Sequence, residues 1–281
     1  MKDIISGINN IRIEISFKSF EDLRSKLIFY QENNLYKINI PCKNNLKNDF
    51  LLSSIKLIRE EFTSIDLVPH FSILHEFKRN RNNTLNSFIY FLQFVKRLGC
   101  KEVLLISGSQ KRSTLDSLSA LNYIKDNSLF FYNNFSIGVA FNPYLSSLLF
   151  KEEIEKLENK LKSGIVKSIW FQFGTDIKLL ESRIYLIKNI ISSVKLKNNL
   201  NYSIKLYGSL LIPSRQFLSR FRYRPWKGVY CSEEFLESID YANDVVVDLL
   251  LTYKKYEIFP IVETDLSTSE KLYSLKSILQ M

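Results

Sequence analysis

The chain is poor in cysteine and glycine and contains no long apolar run. Its three cysteines, Cys42, Cys100 and Cys231, are odd in number and widely spaced, which fits neither a disulfide framework nor a zinc cluster. The 8 glycines among 281 residues form neither the dinucleotide-binding triplet nor a phosphate-binding P-loop. The chain contains no stretch of about 18 apolar residues, so no membrane-spanning helix is predicted. Because the first residues also lack the apolar core of a signal peptide, we expect a cytoplasmic protein.

The net charge of +10 points at first to nucleic acid or another polyanion as partner. The chain is also rich in Asn, Ile and Lys, for example at residues 43–45 and 197–199, as an AT-rich coding bias would produce. A solvated lysine surface therefore explains the charge better. Nucleic acid is therefore the least expected of the partners considered.

Strand-like and helix-like periodicities alternate eight times along the chain. The predicted strands cover residues 11–17, 36–42, 66–74, 102–108, 135–142, 168–173, 203–211 and 257–263. The predicted helices cover residues 20–31, 49–62, 84–98, 114–125, 151–162 and 178–194, a helical region ending near 253, and 267–279. The strands are continuous apolar runs, as expected for parallel strands that are covered on both faces. Eight such units without a break predict one (β/α)8 TIM barrel over residues 1–281, with an open doubly wound sheet as the main alternative.

Barrels of this kind carry their sites at the carboxyl ends of the strands. The polar residues that the predicted strands deliver there are Glu14, Cys42, His70, Ser107 to Ser109, Asn142, Gln172, Tyr207 and Glu263. A lone His70 without a second ligand at metal spacing argues against a metal centre. No nucleophile elbow is present, so hydrolase chemistry has no support.

Two of these residues interrupt apolar strands. Glu14 lies between Ile13 and Ile15, where a buried carboxylate is costly unless it is paired or functional. It is interpreted either as a general acid or as a residue that faces the helices and pairs with a lysine. Gln172 offers a donor and an acceptor to the edge of a heterocycle, or is a satisfied core amide. The basic and aromatic stretch 220–227 could grip an anion such as a cofactor phosphate, a polyglutamate tail or single-stranded nucleic acid, or be a solvated loop.

The order of motifs at the strand ends resembles the methylenetetrahydrofolate reductase family, a family of flavin-dependent (β/α)8 barrels. The resemblance is remote and runs over nearly the whole chain. It rests on Glu14 in the first strand, Val68-Pro69-His70-Phe71-Ser72 in the third, the Gly-containing turn at 105–109, the segment Gly138 to Pro143, the helix end at 157–164, Gln172-Phe173, and the Gly208 to Pro213 turn.

The resemblance implies a reaction and a set of contacts. Glu14 matches the general acid that helps to open the imidazolidine ring of the folate, and Gln172 matches a residue that touches flavin and folate. FAD would be the cofactor and NAD(P)H the hydride source, with no metal. The implied cofactor-binding residues are His70, Ser107, Gly108, Ser109, Ala140, Asn142, Glu153, Lys160 and Gln172. The expected reaction is the reduction of 5,10-methylenetetrahydrofolate to 5-methyltetrahydrofolate, a step of one-carbon metabolism towards methionine.

Several positions depart from the family pattern. Ser107 and Ser109 replace an Arg and an Asp, Asn142 replaces a Tyr, and Ser146 replaces a His. A reductase with altered flavin binding would show this pattern. So would a non-catalytic folate- or flavin-binding paralogue that partners another one-carbon enzyme. The sequence leaves open the choice between NADH and NADPH and the formation of a homo-oligomer.

Overall fold

Eight parallel strands close into one barrel in chain order, and helices surround it. The computed structural model describes residues 11–42, 48–76, 81–107, 115–127 and 135–280. The prediction of a (β/α)8 barrel is therefore confirmed. In the described part of the chain, no helix has both the length and the apolar character needed to cross a membrane.

The barrel strands and the surrounding helices have the following bounds. The strands are β1 Arg12–Glu14, β2 Lys37–Ile40, β3 Asp66–Ser72, β4 Glu102–Ile106, β5 Ser136–Phe141, β6 Val166–Phe171, β7 Lys205–Leu210 and β8 Ile258–Val262. The described helices are α1 Phe20–Glu32, α2 Asn48–Glu61, α3 Ile73–Glu76, α4 Arg81–Arg97, α5 Ser117–Asn127, α6 Ser147–Lys162, α7 Ile177–Lys197, α8 Arg215–Tyr223, α9 Glu233–Glu237, α10 Ile239–Lys255 and α11 Ser269–Gln280.

The predicted strands and the observed ones differ mainly at their carboxyl ends. Strand β3 ends at Ser72, which pairs with Ile106, the last residue of β4. The pairing of the two strands ends there, and the next residue, Ile73, begins the short helix α3. The helical region predicted after the seventh strand divides into α8, α9 and α10.

Short polar signals set the helix boundaries. The Ser19 side chain accepts a hydrogen bond from the Asp22 amide at the start of α1, and Asp176 accepts from the Leu179 amide at the start of α7. Apart from Gly228, which lies in the turn after α8, the described residues with positive φ lie in the turns that lead from helices back into strands. These residues are Asn34, Gly99, Gly164, Asn199 and Glu257.

Two separate apolar clusters hold the barrel together. The larger one lies between the strands and the helices and includes Ile13, Val103 and Ile169, all fully buried. Each such side chain stabilises the fold by about 1.5–3 kcal/mol relative to an exposed one. The smaller cluster fills the middle of the barrel and is called the waist. It consists of Val68, Leu104, Trp170, Tyr207 and Ile261.

The waist is closely packed around Trp170. Its indole stacks on the Tyr207 ring, with 3.9 Å between ring centroids and 13° between planes. Gly138 pairs with Ser168 on the neighbouring strand, and a Cβ atom at position 138 would overlap the indole and the Ser168 hydroxyl. The missing side chain therefore makes room for the tryptophan.

Polar residues lie on both sides of the waist. Because side chains alternate along a strand, residues two before and two after a waist residue also face the interior. Towards the amino ends these are Asp66, Glu102, Ser168 and Lys205, and towards the carboxyl ends His70, Gln172, Ser209 and Glu263. The barrel interior thus has a polar floor, an apolar waist and a polar rim.

Candidate functional site

Glu14 ends strand β1 on the interior side of the barrel. Its neighbours Ile13 and Ile15 are fully buried in the outer apolar cluster, so the alternation directs Glu14 inwards. One carboxylate oxygen, Oε2, lies 3.9 Å from Nδ1 of His70, and the Glu14 side chain is 15% exposed. The carboxyl group is therefore shielded but reachable from the rim.

A column of polar side chains leads from Glu14 through the barrel to its floor. Asn39 Nδ2 lies 2.9 Å from His70 Nε2. Arg12 Nε donates to Asn39 Oδ1 at 2.7 Å, and Arg12 Nη1 donates to Asp66 Oδ2 at 2.7 Å. The column runs along strands β1 to β3, where it bypasses the apolar waist.

The column determines the tautomer of His70. Because the guanidinium of Arg12 occupies Asn39 Oδ1, the other end of the Asn39 amide, Nδ2, must face His70. An amide nitrogen only donates, so His70 Nε2 accepts this bond. In the neutral ring the proton then lies on Nδ1, which points towards Glu14.

This tautomer can be tested by NMR. The chain has only two histidines, so His75→Gln leaves His70 as the single labelled ring. At a pH where the ring is neutral, we expect a proton-bearing Nδ1 and an unprotonated Nε2 in a ¹⁵N-histidine spectrum. Asn39→Leu should mix the two tautomers, since it removes the donor to Nε2. A proton on Nε2 in the otherwise unchanged protein would contradict the proposed arrangement.

Gln172 and Glu263 complete the polar rim. The Gln172 backbone amide donates to the Phe141 carbonyl at 2.9 Å, and its half-buried side chain makes no hydrogen bond to a residue that the structure describes. Ala140, with its small side chain, lies on the adjacent strand β5. Glu263 accepts a hydrogen bond from the Ser209 hydroxyl.

Two of the predicted flavin contacts use their polar atoms within the protein. The Ser107 hydroxyl donates to Ser117 Oγ at 2.8 Å and accepts from the Ser117 amide at 2.9 Å, where it supports the start of α5. The Asn142 amide donates to the Gly228 carbonyl at 2.8 Å and accepts from the Tyr144 amide. Gly108 and Ser109 lie outside the described residues.

Lys160 and Glu153 lie on α6, in the helical layer outside the barrel. Lys160 is buried, and this burial lowers the pKa of its ammonium group, while Glu153 and Asp116 act in the opposite direction. Lys160 is therefore a buried lysine of the helical layer, displaced from the polar rim.

The stretch 220–227 covers the last turn of α8 and the turn that follows it. It lies on the connection between β7 and β8. Trp226 packs against Phe217 and Phe221, with centroid distances of 5.5 and 6.0 Å. Tyr223 is 94% exposed, and the basic residues around it are exposed as well. The bond from Asn142 to Gly228 fixes this connection to the rim beside β5.

Arg12 and Asn39 were not predicted as site residues. Both are polar residues inside apolar strands, which is the signal that identified Glu14. Within the described residues, no group of three His, Cys, Asp or Glu side chains is placed to hold a metal ion.

Comparison with known proteins finds similarity in structure only. No protein-family model matches the chain, and no curated protein matches its sequence. An aldo-keto reductase from Klebsiella pneumoniae in complex with NADPH is 12% identical over 97% of this chain and 86% of its own, with a TM-score of 0.49. A putative dihydrodipicolinate synthase family protein from Coccidioides immitis is 10% identical over 95% and 76%, with a TM-score of 0.47. A protein from Aquifex aeolicus VF5 is 9% identical over 99% and 96%, with a TM-score of 0.49. Similarity this low carries no information about substrate or chemistry.

Proposed function

We propose that the chain is a flavin-dependent oxidoreductase that reduces 5,10-methylenetetrahydrofolate to 5-methyltetrahydrofolate with NAD(P)H. The observation that carries the proposal is the Glu14 carboxyl group at the rim end of the polar column, partly exposed and 3.9 Å from His70. A general acid must be shielded from water yet within reach of its substrate, and Glu14 meets both conditions.

The polar column supports Glu14 as the proton donor. Opening the five-membered folate ring requires a proton at the departing nitrogen. The Nδ1–H of His70 faces one oxygen of Glu14, and the order of hydrogen bonds from Arg12 through Asn39 fixes the orientation of that ring. Because His70 lies beside one oxygen of the Glu14 carboxyl group, the other oxygen can face the substrate.

We infer that a flat heterocycle would bind at the inner end of the rim. The Gln172 amide offers a donor and an acceptor there, and Ala140 on the next strand leaves space. FAD, when bound, would carry hydride from the nicotinamide to the folate. His70, Ala140 and Gln172 would hold the ring, and the basic stretch after α8 would lie near the phosphates.

A second candidate function is a non-catalytic folate- or flavin-binding barrel. One observation favours it, since Ser107 and Asn142 already direct their polar atoms to Ser117, Gly228 and Tyr144. These side chains are then not available for the flavin unless the rim rearranges.

A spectroscopic experiment separates the two functions. We expect purified protein, incubated with FAD and desalted, to show the visible bands of oxidised flavin. Anaerobic NADH or NADPH should bleach these bands, and methylenetetrahydrofolate should restore them. A protein that binds flavin or folate without this cycle would be the non-catalytic barrel. If neither ligand binds, both proposals are wrong.

A further inference from the structure

A cavity of about 960 Å³ opens at the amino ends of the barrel strands, at the end opposite to Glu14. It is called the floor cavity. Its walls come from the starts of β1 and β3 to β7 and from the helix ends that precede β3 and β4. Its lining includes Arg12, Asp66, Lys101, Glu102, Lys167 and Lys205. Pockets of about 300–1,000 Å³ are the usual size for small-molecule ligands.

The lining of the floor cavity is strongly cationic. It contains six Lys or Arg residues and two acidic ones, Asp66 and Glu102. Asp66 is already paired with Arg12 at 2.7 Å. Glu102 accepts a hydrogen bond from Ser168, and burial raises the pKa of its carboxyl group, while this bond and the cations Arg12 and Lys205 act in the opposite direction. Even when both carboxylates are counted as ionised, the six cations of the lining outnumber them.

The two arginines of the cavity are committed to the fold. Arg12 donates to Asn39, Asp66 and the Ile38 carbonyl. Arg59 donates to the carbonyls of Leu98 and Ile65, at 2.9 and 2.7 Å. Ligand binding must then depend on the lysines.

Three lysines are placed for that role. Lys101, Lys167 and Lys205 come from the starts of β4, β6 and β7, and none of them has a carboxylate within 4 Å among the described residues. Burial is the main cause that lowers the pKa of neighbouring Lys37, and the cations Arg12 and Lys205 lower it further, while Asp66 acts in the opposite direction. A positive potential thus collects at this mouth, and a bound anion would relieve it.

We propose that the floor cavity binds a ligand with a chain of phosphate groups, held by Lys101, Lys167 and Lys205. Ammonium groups bind phosphate as point charges, and three of them around one wide mouth suit several phosphates better than one. A nucleoside triphosphate and an inorganic polyphosphate share this chemistry. The site lies beyond the waist from Glu14, so it does not depend on the proposed reductase function.

Calorimetric titration of the full chain with inorganic tripolyphosphate and with ATP, both without metal, tests the proposal. We expect saturable binding with one site per chain. Lys101→Gln/Lys205→Gln should raise the Kd by about tenfold or more, because two of the three cations are lost. Equal affinities for the two ligands would identify the phosphate chain alone as the recognised group, and tighter binding of ATP would add a nucleoside contact.

A matched control is Lys156→Gln/Lys178→Gln, which removes two exposed lysines from the outer helices. It should leave the Kd within about twofold, since exposed charges at a distance are screened by salt. Trp226→Phe leaves Trp170 as the only indole, and its emission should change on binding because its stacking partner Tyr207 lines the cavity. No saturable binding of either ligand, or the same loss in both double variants, would overturn the proposal.

Discussion

We expect Glu14→Gln to lower the turnover of methylenetetrahydrofolate reduction by about 10²- to 10⁴-fold, the usual contribution of a general acid. Glutamine keeps the width of the side chain, and its carbonyl oxygen can take the place of the carboxylate oxygen that now lies 3.9 Å from Nδ1 of His70. What it lacks is a proton that can be transferred. Reduction of the flavin by NAD(P)H should therefore continue at the unsubstituted rate, while its reoxidation by the folate slows.

The two half-reactions, followed separately by stopped-flow absorbance, make this expectation specific. Glu61→Gln is the control, because Glu61 is an exposed residue paired with Arg24 on the outer surface. It should change neither rate. Unaltered reoxidation in Glu14→Gln would remove Glu14 from the mechanism. Equal slowing of both half-reactions would indicate a disturbed flavin site.

The barrel could be predicted because its signals are local. Apolar runs such as the one at 102–106 are bounded by turns, and Gly99 and Gly164 take the positive φ expected where a helix returns to a strand. The division of the last long connection into three helices could not be predicted. It depends on contacts such as the packing of Trp226 on Phe217, which form only when the connection folds back on itself.

The site was only partly visible in the sequence, because its contacts are not local. Glu14 could be identified as a carboxylate within an apolar strand. The hydrogen bonds that connect its neighbour His70 to Asp66 join residues that are 27, 31 and 54 positions apart in the sequence. Only the register of β1, β2 and β3 brings these residues together. The family resemblance likewise pointed to Ser107 and Asn142 as flavin contacts. It gave no sign that these side chains make hydrogen bonds to Ser117 and Gly228 within the protein. A sequence motif shows which residue type stands at a position. Which hydrogen bonds that residue makes depends on the folded structure.

We expect Arg12→Met to reduce the free energy of unfolding by about 1–3 kcal/mol, the range found when a buried hydrogen-bonding group loses its partner. Arg12 is 3% exposed and donates to Asn39 Oδ1, to Asp66 and to the Ile38 carbonyl. Methionine fills most of the same volume but donates nothing. The buried Asn39 oxygen would then lose its Arg12 donor, which costs more than the loss of an average hydrogen bond.

Urea denaturation, with Arg24→Met as the control, tests this expectation. Arg24 makes two short hydrogen bonds to Glu61, against four hydrogen bonds for Arg12, and both side chains of the Arg24–Glu61 pair are exposed. Water replaces such bonds, so the control midpoint should hardly move. The Asp66 side chain is 51% exposed and can also turn to water, so the predicted loss in Arg12→Met is assigned mainly to Asn39. Since Asn39 would then be able to flip, the ¹⁵N spectrum of His70 should lose its single tautomer in the same variant. A stable Arg12→Met protein with an unchanged His70 spectrum would show that the column neither stabilises the barrel nor orients the residue that faces Glu14.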